Sequence, residues 1–554
     1  MSFMETRQKA VNESDQTQGA LKHLRVFALA LAVFACVPYL SRDLEDYRLW
    51  VPGDPAPFTN LYAFQSGDSI TIAGTGYQAA SSRADRLAED LGESVASNLE
   101  RDPPRRAPRK KPSTPEESEE AAIAALTIED DEVSGISHFI EDPDGRGLAP
   151  FYRALIRTAR AEDEFITRIA HYGDSSIATD LITHTMRRHL QERFGDAGHG
   201  FLLFASGHLP YRHRDVYAWD NGNFFVREVT RGTVGDGHYG YGGNQIVPQQ
   251  GALARLSADP SAPVGDKVSR FEIWYQKHRR GGRFRYRVDG GEYTVVDTRS
   301  EELEDAVEII ELPEESEARL EIRAFGGRVH FYGGVVERDG PGVVYDSLGL
   351  VGARANRLLN FDAEHIRSQL ERRGVHLLIL GFGGNESSDN ISGERYEEQV
   401  REVIRHMRGD REDLGCLLMA PLDQGEVDSR GRVRTIPTVP TIVAAQRRAA
   451  FAEGCAFFDT FEAMGGEGAM RAWSRSRPRL ALSDYRHATP AGYEVIGNLF
   501  YKALLHDFRE RLPLVQASVP RKSEAQQIAP EPKAPEPLAP GEETEPPGSS
   551  EIEE

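Results

Sequence analysis

Phe165 to Phe194 reads FITRIAHYGDSSIATDLITHTMRRHLQERF, and its periodicity changes at a glycine. Phe165 to Tyr172 is a largely apolar run of strand length, and Gly173-Asp174-Ser175 follows it directly. From there Ile177, Leu181, Ile182, Met186 and Leu190 recur at helical spacing up to Phe194. Strand, tight glycine turn and helix is the geometry that sets a serine hydroxyl at the end of a strand. A hydroxyl is a weak nucleophile until a base takes its proton, and an imidazole base needs a carboxylate to hold its tautomer.

Candidates for those partners occur at two other places. Gly383-Gly384-Asn385-Glu386 follows the apolar run Val375 to Leu380, and Asp484-Tyr485-Arg486-His487 precedes the helical run Gly492 to Leu505. Each motif alone has a bland alternative. Gly173-Asp174-Ser175 could be a turn with a capping aspartate, and Asp484 with His487 could be a helix-start cap. Their order, each at a strand end or helix entry, argues against coincidence and for a serine esterase or acyltransferase.

Strand-like Val375 to Leu380, Cys416 to Ala420 and Ala456 to Phe458 alternate with helical Tyr396 to Arg408 and Ile442 to Glu453, and a further helix is expected over Gly147 to Glu162. That alternation predicts an α/β fold with a parallel sheet wound on both faces, whose ligands collect beyond the carboxyl ends of the strands. The segment from about Gly207 to Arg338 differs. Phe271 to Tyr275, Phe284 to Val288, Tyr293 to Val296 and Leu320 to Phe325 alternate apolar and polar residues between glycine-rich turns, predicting an inserted antiparallel β-sandwich. Trp274 and Tyr275 are its candidate substrate-binding aromatics, against the alternative that such residues fill the core.

The chain has 554 residues, 39% hydrophobic and 28% charged, enough for one large enzyme domain with additions. A net charge of -21 argues against nucleic acid as a partner. Val26 to Leu40 is apolar, with Lys22 and Arg25 before it and Asp43, Glu45 and Asp46 after it, an orientation that exports the remainder of the chain. Signal anchor, cleaved signal and lipidation at Cys36 all fit, with an anchor first. The expected location is the cell envelope, as an inner-membrane anchored protein with a periplasmic catalytic domain or as an exported lipoprotein. Of the three cysteines, Cys416 and Cys455 read as buried thiols, with a bridge as the alternative.

These boundaries divide the chain into an N-terminal segment and anchor (1–41), a low-complexity linker (42–135), a first hydrolase part (136–206), the inserted sandwich (207–338), a second hydrolase part (339–514) and a disordered Pro/Glu-rich tail (515–554).

The motifs resemble those of the SGNH, or GDSL-type, hydrolase superfamily. His171 to Ser176 is similar to its first block, Gly383 to Glu386 to its third and Ser483 to Tyr493 to its last. Tyr345 to Arg354 resembles the second block of the peptidoglycan O-acetylesterase branch, in which a carbohydrate-binding-like sandwich is inserted between the first two blocks. Ser176 and Glu386 depart from the usual leucine and aspartate. The resemblance implies a three-layer α/β/α sandwich with catalytic Ser175, Asp484 and His487. It also implies an oxyanion hole from the N–H groups of Ser175 and Gly352 with the Asn385 side chain; Gly349 or Gly242-Gly243-Asn244 competes for the Gly352 role. No cofactor or metal is implied. The substrate class it implies is O-acetylated polysaccharide or peptidoglycan, with polysaccharide O-acetyltransferase and non-catalytic glycan binding as alternatives.

Overall fold

The computed structural model describes residues 87–88, 90–92, 115–208, 211–325 and 328–519. Five parallel strands form its central sheet: β1 (Ile166–Gly173), β2 (Gly342–Gly349), β3 (Val375–Gly381), β4 (Gly415–Met419) and β5 (Ala456–Phe458), in the order β2-β1-β3-β4-β5. Their side chains alternate between two apolar cores, because successive residues of a strand point to opposite faces. Ile169, Val343, Tyr345, Leu377, Ile379, Leu417 and Phe458 face helices Ala149–Ala159, Leu181–Phe194 and Pro490–Ala517. Ala170, Tyr172, Leu348, Leu378, Leu380, Leu418 and Phe457 face helices Ala363–Arg373, Gly393–Arg408 and Thr438–Ala452. Strands covered on both sides read as continuous apolar runs, the pattern of a buried parallel sheet. This is the expected three-layer α/β/α fold.

Between β1 and β2 the chain builds two antiparallel sheets. One contains Phe224–Glu228, Asn244–Pro248, Val268–Lys277, Glu304–Ser316 and His330–Glu337, with Gly198–Leu202 also paired to the last. The other orders Val216–Asp220, Leu253–Ala258, Leu320–Phe325, Arg283–Val288 and Thr294–Asp297 side by side. The sheets face each other: Phe284 of the second packs 5.0 Å from Phe331 of the first, ring centre to ring centre. Their interior is continuous with the core on one side of the parallel sheet.

Several expectations need correction. Trp274 and Tyr275 are not surface aromatics: they are only 2% and 4% exposed. Strand Val268–Lys277 is covered on both faces, so adjacent residues are both buried. Trp274 packs on Phe201 and donates through Nε1 to Glu272 at 2.7 Å, while Tyr275 packs edge-on against Phe284. The linker expected through residue 135 contains helix Pro115–Leu126, whose Ala125 is buried in a core together with Ile128 and Val133 beyond it. Cys416 and Cys455, expected as thiols, form a disulfide, since β4 and β5 are neighbours with Leu417 opposite Ala456. The last helix also runs to Ala517, past the expected start of the tail. The apolar run Val26 to Leu40, with Cys36, lies outside the described residues. Among the described residues, no helix is long and apolar enough to cross a membrane.

Candidate active site

Three glycines mark where the site begins. Gly349, Gly173 and Gly381 stand level across β2, β1 and β3. At Gly173 a Cβ would lie 2.3 Å from the Ile177 side chain and 2.7 Å from the Gly381 carbonyl oxygen, so only glycine lets the chain turn this tightly. Ser175 follows two residues later, Gly352 three residues beyond Gly349, and Asn385 four residues beyond Gly381. The sheet's register therefore delivers all three to one edge, the carboxyl end.

Ser175 opens a short helix, Ser175–Ala178, capped by Asp174, whose Oδ1 accepts from the Ser176 N–H at 2.9 Å and from its hydroxyl at 2.8 Å. Burial pushes the Asp174 carboxyl up, against the opposing donation from Ser176. A buried cap with its oxygen occupied is a turn-former. His171 is fully buried and bonds Tyr345 at 2.9 Å; burial lowers its pKa to about 3, which makes it a neutral packing residue.

His487 arrives from the other side of the cleft. Its Nε2 lies 3.2 Å from Ser175 Oγ, and its Nδ1 lies 2.7 Å from Asp484 Oδ2. A carboxylate opposite Nδ1 fixes the proton there and leaves Nε2 as the acceptor facing the serine. Asp484 Oδ1 also accepts the backbone N–H groups of Arg486 and His487 at 3.0 and 3.1 Å. Burial works against the Asp484 charge, but these donors and the imidazole together hold its pKa below the ordinary value. The loop is pinned by backbone bonds from Leu482 N–H to the His487 oxygen at 2.9 Å and from Gly425 N–H to the Tyr485 oxygen at 2.7 Å, with Tyr485 itself at φ 56°. Helix Pro490–Ala517 follows at once, capped by Thr489.

On the oxyanion side Asn385 Nδ2 donates to the Ala353 carbonyl oxygen at 2.9 Å, and Glu386 Oε1 accepts the Ala355 N–H at 2.8 Å. Both tie the loop after β3 to the loop after β2. Gly352 lies in that second loop at φ 73°, with open space where a side chain would stand. Its two competitors are placed otherwise. Gly349 ends β2 against the backbone of Ala178, and Gly242 and Gly243 pack on Phe201, Leu350 and Phe361. Trp274 and Tyr275, both in the core, take no part in this cleft.

Sequence reasoning passed over Arg486, whose guanidinium reaches Ser388 Oγ and Gln424 Oε1, each at 3.2 Å, and so joins the base loop to the loops after β3 and β4. Its place inside the Asp484–His487 motif was the available signal. Ser206, His208, Glu228 and Thr230 line a small pocket beside Leu350, with His208 Nε2 3.0 Å from Glu228. Elsewhere, His238, Asp305 and His365 lie close enough to share a cation. His365 already uses both ring nitrogens, Nδ1 on Asp305 at 2.7 Å and Nε2 accepting the Gly240 N–H at 2.9 Å, so the cluster is a hydrogen-bonded knot.

A parallel sheet in an α/β/α fold with a serine–histidine–aspartate line at its carboxyl edge is an arrangement that serine hydrolases use. Residues 319–495 match the GDSL-like lipase/acylhydrolase family, a span that includes Gly352, Asn385, Asp484 and His487 while Ser175 lies ahead of it. The fold is similar to that of a solved peptidoglycan O-acetylesterase, at 22% identity and a TM-score of 0.56 over 67% of this chain and 99% of that one. A family two carbohydrate esterase from Cellvibrio japonicus aligns at 10% identity and TM-score 0.22, over 53% of this chain and 100% of its own. A lipase/acylhydrolase from Enterococcus faecalis aligns at 17% and 0.22, over 31% and 77%. Comparison with curated proteins gave no match. The family match spans about a third of the chain, and the structural likeness, at 22% identity, shows a shared fold.

Proposed function

We propose that this protein is a serine esterase that removes acetyl groups from an O-acetylated cell-envelope or extracellular polysaccharide. The observation that carries the reading is His487, which bridges Ser175 Oγ and Asp484 in one line. Ser175 attacks the acetyl carbonyl as its proton passes to His487 Nε2. The N–H groups of Ser175 and Gly352 with the Asn385 amide receive the oxyanion. The intermediate collapses with the sugar hydroxyl leaving, protonated by His487, and the acetyl group stays on Ser175. Water, deprotonated by the same imidazole, then releases acetate. The fold similarity to a peptidoglycan O-acetylesterase supports acetyl as the group removed.

Export across the membrane, through an anchor or lipidated segment within residues 1–41, completes the proposal. A disulfide between Cys416 and Cys455 supports an oxidising compartment.

The test is acetate release from O-acetylated peptidoglycan and from acetylated xylan by the purified enzyme, with and without an acceptor sugar. Release that needs only water supports the esterase; acetyl appearing on the acceptor in place of acetate would make the protein an O-acetyltransferase. Protease added to spheroplasts should digest the catalytic domain, and protection would overturn export.

A further inference from the structure

The outer face of the second antiparallel sheet departs from the charge of the whole chain. Along it, Leu256, Leu320, Ile322 and Phe284 point inward to the core. The alternating positions between them point out, and they carry Arg255, Arg323, Arg285 and Arg287 with the carboxylate Glu321. Arg255, Arg287 and Arg323 all bond that one glutamate, at 3.0, 2.9 and 3.0 Å. Three guanidinium groups share one negative charge, in a protein whose net charge is -21.

Aromatic rings are interleaved with these cations. On the edge strand Val216–Asp220, Tyr217 and Trp219 are two residues apart and so share a face; they are 47% and 38% exposed. Trp219 lies opposite Arg255 in the register, with the guanidinium 5.3 Å from its ring, and Arg319 lies 5.4 Å from the Tyr217 ring. On the far side Tyr293 carries Arg285 and Arg287 at 4.1 and 4.5 Å and donates its hydroxyl to Glu321 at 2.6 Å. The sheet thus holds flat rings at both margins and a row of planar cations between them. Guanidinium groups match carboxylate geometry, and an exposed tryptophan face is a stacking surface for a sugar ring.

We propose that this face binds an anionic, carboxylate-bearing polysaccharide, laid across the strands with sugar rings on Trp219 and Tyr217 and its carboxylates on the arginine row. Charge complementarity selects this occupant over a neutral glycan, which would gain nothing from the arginines. The site is separate from the Ser175 cleft, so it stands or falls without reference to the esterase reading.

The experiment measures binding of the full chain to sodium polygalacturonate by affinity electrophoresis and calorimetry, with neutral xylan and single-stranded RNA as comparisons. Binding to polygalacturonate that weakens as salt rises, with weak binding of xylan and RNA, is the expected result. Tyr217→Ala with Trp219→Ala should weaken it about tenfold or more, at an unchanged melting temperature and unchanged p-nitrophenyl acetate turnover. Arg285→Gln with Arg287→Gln should reduce both affinity and salt dependence, an independent readout should the aromatic variant fold poorly. Equal affinity for xylan, preference for RNA, or full affinity in both variants would overturn the proposal.

Discussion

Asn385 gives one hydrogen of its side-chain amide to the Ala353 carbonyl oxygen, at 2.9 Å. A primary amide nitrogen has two hydrogens, so this bond fixes the amide plane while leaving a second donor for the cleft. The proposed oxyanion donor is thereby oriented before substrate arrives, which is where electrostatic catalysis gains most.

Replacing Asn385 with alanine should lower kcat about a hundredfold or more on p-nitrophenyl acetate with little change in KM, because the lost donor acts on the transition state. A change confined to KM would reassign Asn385 to substrate positioning.

Ser175→Ala and His487→Ala should each reduce turnover by several orders of magnitude while circular dichroism stays native. Asp484→Asn should also be severe: with its oxygen kept on the Arg486 and His487 N–H groups, its amide nitrogen faces His487 Nδ1 and holds the imidazole in the wrong tautomer, whereas Asp484→Ala should be milder. Retained activity in Ser175→Ala would remove the proposed nucleophile.

Glu386 links pH to stability. Burial raises its pKa to about 7, despite the Ala355 N–H that favours the charged form. The unfolded chain releases this proton near pH 4.3, to within about half a unit, so between the two values the folded state holds more protons than the unfolded. Stability from this group is fully present below the lower value and is lost as pH rises through 7, by on the order of 3 kcal/mol. Glu386→Gln should flatten the fall in melting temperature between pH 5 and pH 8. An unchanged slope would place the linkage on another group.

Trp274→Ala should destabilise the protein by about 3–5 kcal/mol in urea melts, as large core truncations do. Loss of activity on polymer and on small ester should track the unfolded fraction, whereas a selective loss on polymer in a stable variant would restore a substrate contact.

Removing the disulfide by Cys416→Ser with Cys455→Ser should lower stability by about 2–4 kcal/mol, given the 39-residue separation it closes. Thiol labelling of the unreduced, denatured wild type should leave both cysteines unmodified, and labelling of both would refute the bridge.

How much of this could be read in the sequence depends on what each element needed. Phe165 to Tyr172 and Val375 to Leu380 were legible because strands covered on both faces are apolar throughout, and a glycine turn after such a run is a local signal. Helix Leu181–Phe194 was expected to begin at Ile177, but Asp180 adopts φ 56° and splits off the four residues led by Ser175. Trp274 and Tyr275 misled because alternation was taken to mean one wet face, which fails on a strand whose two faces are both covered. Tyr217 and Trp219 show the same alternation, yet only the sheet order reveals that theirs is the outer face. The pairing of Cys416 with Cys455 likewise depended on β4 and β5 being neighbours. Ala125 could not declare its burial, because an Ala- and Glu-rich segment carries too little apolar signal.

One consequence of the chain's route concerns timing. β1 gains its β2 neighbour only after the whole pair of antiparallel sheets has been traversed, and His487 comes later still. Contacts between residues so far apart in sequence form late, after shorter loops have closed. A partly synthesised chain therefore carries Ser175 without Gly352, Asn385 or His487. Ser175, the proposed nucleophile, meets its proposed base only once the stretch just ahead of the last helix is in place, so an incomplete chain would be inert toward esters.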